Sequence, residues 1–486
     1  MTYVVAIDAG TTGVRSRAVF SDGRETIASY LEFTQHFPAP GLVEHDAEEI
    51  WEVTRKTLAD VIGRVGTPPA AIGITNQRET VVAWDRATGK TFGRAIVWQD
   101  RRTAQRCLEL APYLSTVRAA TGLVLDPYFS GTKIEWMLHN GVKPTPTLAF
   151  GTIDSWLLWK LTNGAVFATD ESNASRTLLW DITTHEWSQE ICDLLGVPLT
   201  SLPEVRDSSG RFGVTSVDGM PSGIPISGVA GDQQAALFGQ ACFAEGDAKN
   251  TYGTGSFVLM NAGTQCPAPS EGMLATVAWR IAGQTTYAVE GSIFVTGAAV
   301  QWLRDGLGII RESSDIETLA AQVADAGGVV FVPALTGLGS PWWDADARGA
   351  IFGITRGTTA GHLALATLEA MAFQTRDVVE AMTAATGIPI RTLRVDGGAA
   401  GNDRLMQIQA DQLGIVVERP VDRETTAVGA ALLAGLAEGV WESPDEAAAS
   451  RRIDRRFEPN LELKVFADIA HAQWREGVRR ITLNCP

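Results

Sequence analysis

Cysteine is scarce in this chain: Cys107, Cys192, Cys242, Cys266 and Cys485 are spread over 486 residues with no CxxC pair among them. That spacing excludes a zinc ribbon or a thioredoxin-like centre, and an odd, scattered set points to reduced thiols in a cytoplasm. The six histidines are equally dispersed, which leaves no basis for a zinc site. Basic charge is in deficit, with 40 Lys and Arg against 56 Asp and Glu and a net charge of −16. That balance argues against a nucleic-acid surface or an anionic membrane as partner, whereas an anionic small ligand needs only a local cluster of donors. Long apolar runs are missing too. The stretch 427–437 is among the longest, well under the ~20 residues of a membrane span, so no membrane insertion is expected. No basic n-region precedes the apolar residues from Val4, and no signal peptide is expected. There is no Gly-x-Ser-x-Gly elbow of a hydrolase in strand–turn–helix context. Gly89-Lys90-Thr91 imitates a P-loop, but the preceding glycine that motif requires falls at Trp84.

What is present is an ordinary globular composition, 45% hydrophobic and 20% charged, in a chain too long for one core. Residues 226–239 read Ile-Ser-Gly-Val-Ala-Gly-Asp-Gln-Gln-Ala-Ala-Leu-Phe-Gly, an apolar strand that breaks at glycines and resumes as a helix of small residues. Asp232 thus stands at a strand-to-helix corner, where ligands bind in open α/β sheets because the backbone turns away and leaves a crevice. Capping the helix is the plainer role for an Asp there. A new pattern begins beyond, so the chain is expected to divide into residues 1–240 and 241–486.

Residues 4–7 and 16–20 read as strands around the turn Asp8-Ala-Gly-Thr-Thr-Gly-Val-Arg15, and Lys249-Asn-Thr-Tyr-Gly-Thr-Gly-Ser256 repeats that arrangement. The echo suggests two related domains. Asp46 and Glu49 form a capping pair for a helix that presents Ile50, Val53, Leu58, Val61 and Ile62 on one face. Residues 71–75 and 94–98 read as strands, each leading into charged residues. Later come a strand over 392–395, the glycine-rich turn 396–402 and a helix over 404–413, an order suited to a nucleotide because free backbone N–H groups point outward. The small-residue helix over 425–436 is expected to pack closely beneath that turn. Alternating strand and helix patterns predict α/β domains with mixed sheets.

Two Gly/Thr turns, a glycine turn before a helix and acids at strand ends are the parts phosphoryl transfer uses, since that reaction asks for positioning and charge neutralisation more than covalent help. Asp8 and Asp232 are the candidates for the two carboxylates it needs, one for Mg²⁺ and one to orient the attacking hydroxyl.

As a set, Gly73-Ile-Thr-Asn-Gln-Arg-Glu-Thr80, Ala95-Ile-Val-Trp-Gln-Asp-Arg-Arg-Thr103, Asp126-Pro-Tyr-Phe-Ser-Gly-Thr-Lys133, residues 231–240 and Asn250-Thr-Tyr-Gly-Thr-Gly255 resemble the FGGY family of carbohydrate kinases, and within it the members that act on glycerol. The resemblance runs from Val4 to about Gly439. It implies two RNase H-like domains of the actin, hexokinase and Hsp70 ATPase type, α/β with mixed sheets and an interdomain cleft. It implies ATP-dependent phosphorylation of glycerol to sn-glycerol 3-phosphate with Mg²⁺, in the cytoplasm, by a homodimer or homotetramer. By the same resemblance Asp232 would be the general base. Arg78, Glu79, Tyr128, Asp232 and Gln233 would hydrogen-bond the hydroxyls, with Trp98 and Phe257 over the carbon chain. Thr11, Thr12, Gly13 and Arg15 would form the first phosphate turn, Thr254 the second, and Asp8 would be the metal carboxylate. Gly297, Gln301, Gly398 and Asn402 would hold the adenosine.

Three departures accompany the likeness. Gly13 stands where better-known members carry Ser, so one hydroxyl contact to phosphate is missing. The loop 215–224 lacks the basic residue through which some bacterial members bind fructose 1,6-bisphosphate, and it carries no histidine of the kind phosphorylated in others. Two rivals remain, a kinase of another polyol or ketose and a non-catalytic nucleotide switch. The intact set Arg78, Glu79, Trp98, Tyr128 and Phe257 argues against the first, and retention of Asp232 against the second.

Overall fold

The computed structural model describes residues 2–449 and 451–482; Cys485 and the end of the C-terminal segment lie outside them. The first strand, β1 (Tyr3–Ala9), is buried throughout except at Asp8, as a central strand covered by helices on both faces must be. It turns back into β2 (Gly13–Phe20), which pairs with β3 (Ile27–Glu32). Asp46 caps α1 (Ala47–Val65), accepting from the amides of Glu48 and Glu49. The Glu49 carboxylate does not complete the expected capping pair: it accepts instead from the amide and hydroxyl of Thr34. Strand β4 (Ala71–Asn76) runs parallel to β1. The strand expected over 94–98 shortens to Ala95–Ile96, because the chain curls immediately and the Asp100 amide returns to the Val97 carbonyl at 3.0 Å. Helix α2 (Ser130–His139), β5 (Ser209–Val214), β6 (Pro225–Gly231) and α3 (Asp232–Gly239) complete this half.

The second half repeats the plan. Strands β7 (Ala248–Tyr252), β8 (Ser256–Gly263), β9 (Leu274–Ile281) and β10 (Gln284–Ile293) precede α4 (Gly297–Asp305). Further on come β11 (Thr392–Asp396), α5 (Asp403–Leu413), β12 (Val416–Pro420), α6 (Thr425–Ala437) and β13 (Ile453–Phe457). The main sheet has thirteen strands in the order β13-β12-β11-β7-β8-β10-β9-β5-β6-β4-β1-β2-β3, and smaller sheets lie beside it. The run β3-β2-β1-β4-β6 and the run β10-β8-β7-β11-β12 have the same pairing sense, two antiparallel steps and then two parallel ones. The echo between residues 8–20 and 249–260 is thus structural, each being the first hairpin of a repeat. The halves meet where β5 touches β9 at Ser209 and Ile281.

Helices α3 and α6, which follow the last strand of each repeat, pack against each other, and α6 lies across β1, β4 and β6 of the first half. The small-residue helix meets the 396–402 turn at its first residue, where the Thr425 hydroxyl donates to the Asp396 carboxylate, and along the rest of its length packs on the first half. The reason is in the glycines: a Cβ on Gly429 would lie 1.8 Å from the Ala235 carbonyl oxygen, and one on Gly73 would lie 2.1 Å from that of Ala430. Helix meets helix and helix meets strand at backbone distance, a contact that only small residues permit.

Candidate active site

The first glycine turn, between β1 and β2, is tied down by buried polar groups. The Gln77 amide donates to the Ala9 carbonyl at 2.8 Å and its side chain to that of Gly10 at 3.0 Å. His45 bridges Gln77 and Gln35, and Gln35 in turn donates to the Thr11 carbonyl at 2.9 Å. Burial, and secondarily His36, pushes the His45 imidazole down to about 4. It is thus neutral at physiological pH and works as a hydrogen-bonding spacer. The second turn, between β7 and β8, is closed by the start of α4: the amides of Thr296 and Ala298 donate to Thr254 and that of Gly297 to Gly253, at 2.9–3.1 Å. Gly297 thus clamps the second turn, and Thr254 remains exposed at its tip.

Beyond β4 the chain makes a three-residue turn in which the Thr80 amide donates to the Arg78 carbonyl at 2.7 Å, with Glu79 at φ 61°. A left-handed glutamate costs backbone energy and persists only when its surroundings hold it. Here the Ser130 hydroxyl, at the start of α2, donates to the Glu79 carbonyl at 3.0 Å, and the Arg176 Nε donates to its carboxylate at 2.8 Å. Arg78 spreads across the floor. Its guanidinium reaches Asp232 at 3.2 Å, the Tyr128 hydroxyl at 3.1 Å, Gln234 at 3.2 Å and Glu290 at 2.5 Å.

Arg176, Glu290, Lys249 and Gln234 were not singled out in the sequence. Arg176 joins Glu79 to Glu290, which it meets at 2.9 Å. Lys249 donates to the Gln233 side-chain oxygen and, at 2.8 Å, to the Thr251 hydroxyl. Arg78, Arg176 and Lys249 thus face Glu79, Glu290 and Asp232, three charges against three. Burial alone would raise the Glu290 carboxyl, but Arg176 and Arg78 outweigh it and hold it at about 2. Burial pushes the Lys249 ammonium down to about 8, against the pull of Asp396 and Asp232. One signal for Glu290 was available, a lone carboxylate inside the apolar run Tyr287-Ala-Val-Glu-Gly-Ser-Ile293.

Above this floor stand three aromatic rings. Trp98 meets Tyr128 edge-on at 5.6 Å and Phe257 at 6.3 Å. The Trp98 indole N–H donates to the Thr11 hydroxyl at 3.0 Å, so the wall and the first turn are joined. Phe257 comes from β8, which brings the second half into a pocket that the first half largely frames. Asp232 begins α3; the N-cap is Gly231, whose lack of a side chain leaves capping aside, and the Asp232 carboxylate accepts from its neighbour's amide at 2.7 Å. With 28% of its side chain exposed, Asp232 remains reachable from solvent. Burial raises its pKa against the opposing pull of Arg78 and Lys249. Asp8 is pushed up to about 7 by burial and by Asp232, with Arg15 opposing. Asp8, whose proton affinity the Asp232 charge raises, and Asp232 offer carboxylate oxygens of the kind a hard divalent cation such as Mg²⁺ takes.

The structure places other expected residues less simply. The Arg15 guanidinium pairs with Glu424, just ahead of α6. The side-chain oxygen of Asn402 caps α5, accepting from the Leu405 amide at 2.8 Å. Gly398 borders open space, and Gln301 is exposed on α4.

Residues 3–239 match the model of the N-terminal domain of the FGGY family of carbohydrate kinases, and residues 248–438 that of its C-terminal domain. The chain is 53% identical over 492 residues to glycerol kinase 2 of Thermotoga maritima, covering 99% of each. It is 50% identical over 487 residues to a glycerol kinase of Bacillus mycoides, covering 98% of each. Among solved structures, the Plasmodium falciparum glycerol kinase with ADP superposes with a TM-score of 0.92 at 34% identity, covering 99% of this chain and 98% of that one.

Proposed function

Since this chain belongs to the FGGY family of carbohydrate kinases, we propose that it transfers the terminal phosphoryl group of ATP to glycerol, giving sn-glycerol 3-phosphate and ADP. The observation that carries this reading is the Asp232 carboxylate, held by Arg78 at 3.2 Å beneath the rings of Trp98, Tyr128 and Phe257 and electrostatically coupled to Asp8 beside the first glycine turn. A triol needs donors and acceptors for its oxygens and an apolar wall for its C–H face, and Arg78, Glu79, Tyr128, Asp232, Gln233, Trp98 and Phe257 supply both. Such a site rejects analogues that leave its buried polar groups unpaired.

Asp232 takes the proton of the attacking terminal hydroxyl, late, because a loose phosphoryl transition state asks for little proton removal early. Arg78 fixes the carboxylate, and Glu79 fixes the neighbouring hydroxyl. Thr11, Thr12, Gly13, Arg15 and Thr254 cradle the phosphates, while Gly297, Gln301, Gly398 and Asn402 border the adenosine. Asp8 would hold Mg²⁺, which when bound neutralises charge on the phosphate oxygens. We place the division between the two domains at residues 240 and 241. Closure of the halves about α3 and α6 excludes water from the cleft.

Among the described residues no helix is long and apolar enough to cross a membrane, and we propose a cytoplasmic location. We also propose a homodimer or homotetramer; the exposed apolar residues Leu461, Val465, Phe466 and Ile469 support self-association, and light scattering of the purified protein tests it.

The deciding experiment is ADP release with Mg-ATP, comparing glycerol with no acceptor and with a panel of polyols and ketoses. Strong stimulation by glycerol alone is expected; turnover only with another acceptor, or slow ATP loss indifferent to all, would overturn the reading. Within the site, Trp98→Ala is expected to raise the glycerol KM at least about tenfold, and the ATP KM far less. Trp98→Phe keeps the wall and drops the bond to Thr11, so it should move the ATP KM by a few-fold, the worth of about 1 kcal/mol. Equal changes in both constants for Trp98→Ala would remove Trp98 from the glycerol wall.

A further inference from the structure

Gly13 deprives the first turn of a hydroxyl, and the structure shows why no side chain stands there. A Cβ built on Gly13 would lie 2.5 Å from the Leu31 carbonyl oxygen and 2.7 Å from the Cζ and hydroxyl of Tyr30. Both belong to β3, the edge strand of the sheet. The strand that forbids a serine at 13 therefore delivers a phenol to the same place. Register fixes its direction: Asp8 pairs with Arg15 across β1 and β2, and Arg15 with Tyr30 across β2 and β3. Residues directly opposite in antiparallel strands project from one face, so Asp8, Arg15 and Tyr30 form a row on one face of the sheet. The Arg15 guanidinium lies over the Tyr30 ring, 5.4 Å from its centroid, which holds the ring in place. The Tyr30 hydroxyl lies 3.3 Å from the Thr12 hydroxyl, and with 44% of the residue exposed it is open to a ligand on the turn.

We propose that Tyr30 is a nucleotide-binding residue whose phenol hydroxyl donates to the ATP phosphates in place of the side chain absent at Gly13. The proposal rests on the reading of residues 10–13 as a phosphate turn. A phenol is a good donor to a phosphate oxygen, and a hydrogen bond to a charged acceptor is the stronger kind. Its position at the phosphate end also means that it contributes nothing to recognition of adenosine.

The test uses the full-length protein, beginning with binding of Mg-ATP, ADP, AMP and adenosine to the wild type. Tyr30→Phe keeps the ring and its contact with Arg15 and removes one oxygen. Expected is a rise of about tenfold in the ATP KM and the ADP Kd, with the glycerol KM, thermal midpoint and adenosine affinity unchanged. Tyr30→Ala should weaken ATP further, because Arg15 then loses its platform as well. An ATP KM unmoved by Tyr30→Phe would overturn the proposal, and so would a loss shared equally by adenosine or glycerol, which is what disturbed packing of β3 produces. Wild-type protein that bound no Mg-ATP would overturn the phosphate-turn reading and this proposal with it; wild-type binding with an indifferent Tyr30→Phe would overturn this proposal alone.

Discussion

Asp232→Asn is expected to leave ATP binding within about twofold of wild type and to lower kcat by roughly 10³-fold, within the range that a positioned general base supplies. The amide keeps the shape of the carboxylate and its place beside Arg78, yet cannot take the proton of the attacking hydroxyl. Calorimetry with Mg-ADP and an ADP-release assay with glycerol separate the two effects. The pH profile adds a second readout. Burial raises the Asp232 carboxyl above the usual aspartate value, so falling pH protonates the base and the acid limb of kcat lies above the ordinary aspartate range. In the Asn variant that limb disappears. Saturating Mg²⁺ keeps Asp8, whose carboxyl is itself pushed up to about 7, from adding its own titration. Full activity in Asp232→Asn would remove Asp232 as the base.

The second large effect is structural. Glu290→Leu leaves Arg78 and Arg176 in a buried site without the carboxylate that bridges them, two positive charges then facing only Glu79 and Asp232. Removing one side of such a buried pair costs about 3–5 kcal/mol, most of it the penalty of stranding the other charge. The variant should unfold at markedly lower denaturant concentration than wild type. Its glycerol KM should also rise, because Arg78 no longer has Glu290 to fix the orientation from which it reaches Asp232 and Tyr128. Glu290→Gln keeps the shape and loses only the charge, so it should fall between the two. Wild-type stability in Glu290→Leu would mean that water or another residue solvates the two guanidinium groups, and the three-against-three balance would not describe the site.

Much of the site was legible in the chain because its pieces are local. Asp232 sits where an apolar run breaks at glycine; Asp8 and Thr11 to Arg15 lie within one hairpin; Arg78 and Glu79 follow directly on a strand. The residues that escaped notice act across long sequence separations. Glu290 lies 212 positions from Arg78, and Arg176 lies 114 from Glu290, so neither spacing nor periodicity links them. Lys249 was part of a recognised hairpin but had no visible partner, since Gln233 reaches it only when the two halves are assembled and Asp396 only when β11 pairs with β7. Local reading was incomplete for the 425–436 helix, whose start meets the 396–402 turn but whose small residues did not say that the rest packs on the first half.

The sequence by itself determined the class of the fold, the two glycine turns, the strand-end carboxylates and the kind of reaction they serve, because turns, strand ends and hydrophobic periodicity are encoded over a few neighbouring residues. Only the tertiary structure decided how the halves join and how the buried charges balance. It alone placed α6 across the first half, put Glu290 under Arg78 and Arg176, and set the Tyr30 phenol where Gly13 has no side chain. The physical reason is common to all three. Close backbone approach and charge neutralisation depend on distances between segments far apart in the chain, and those distances exist only once the sheet has set the register of its strands.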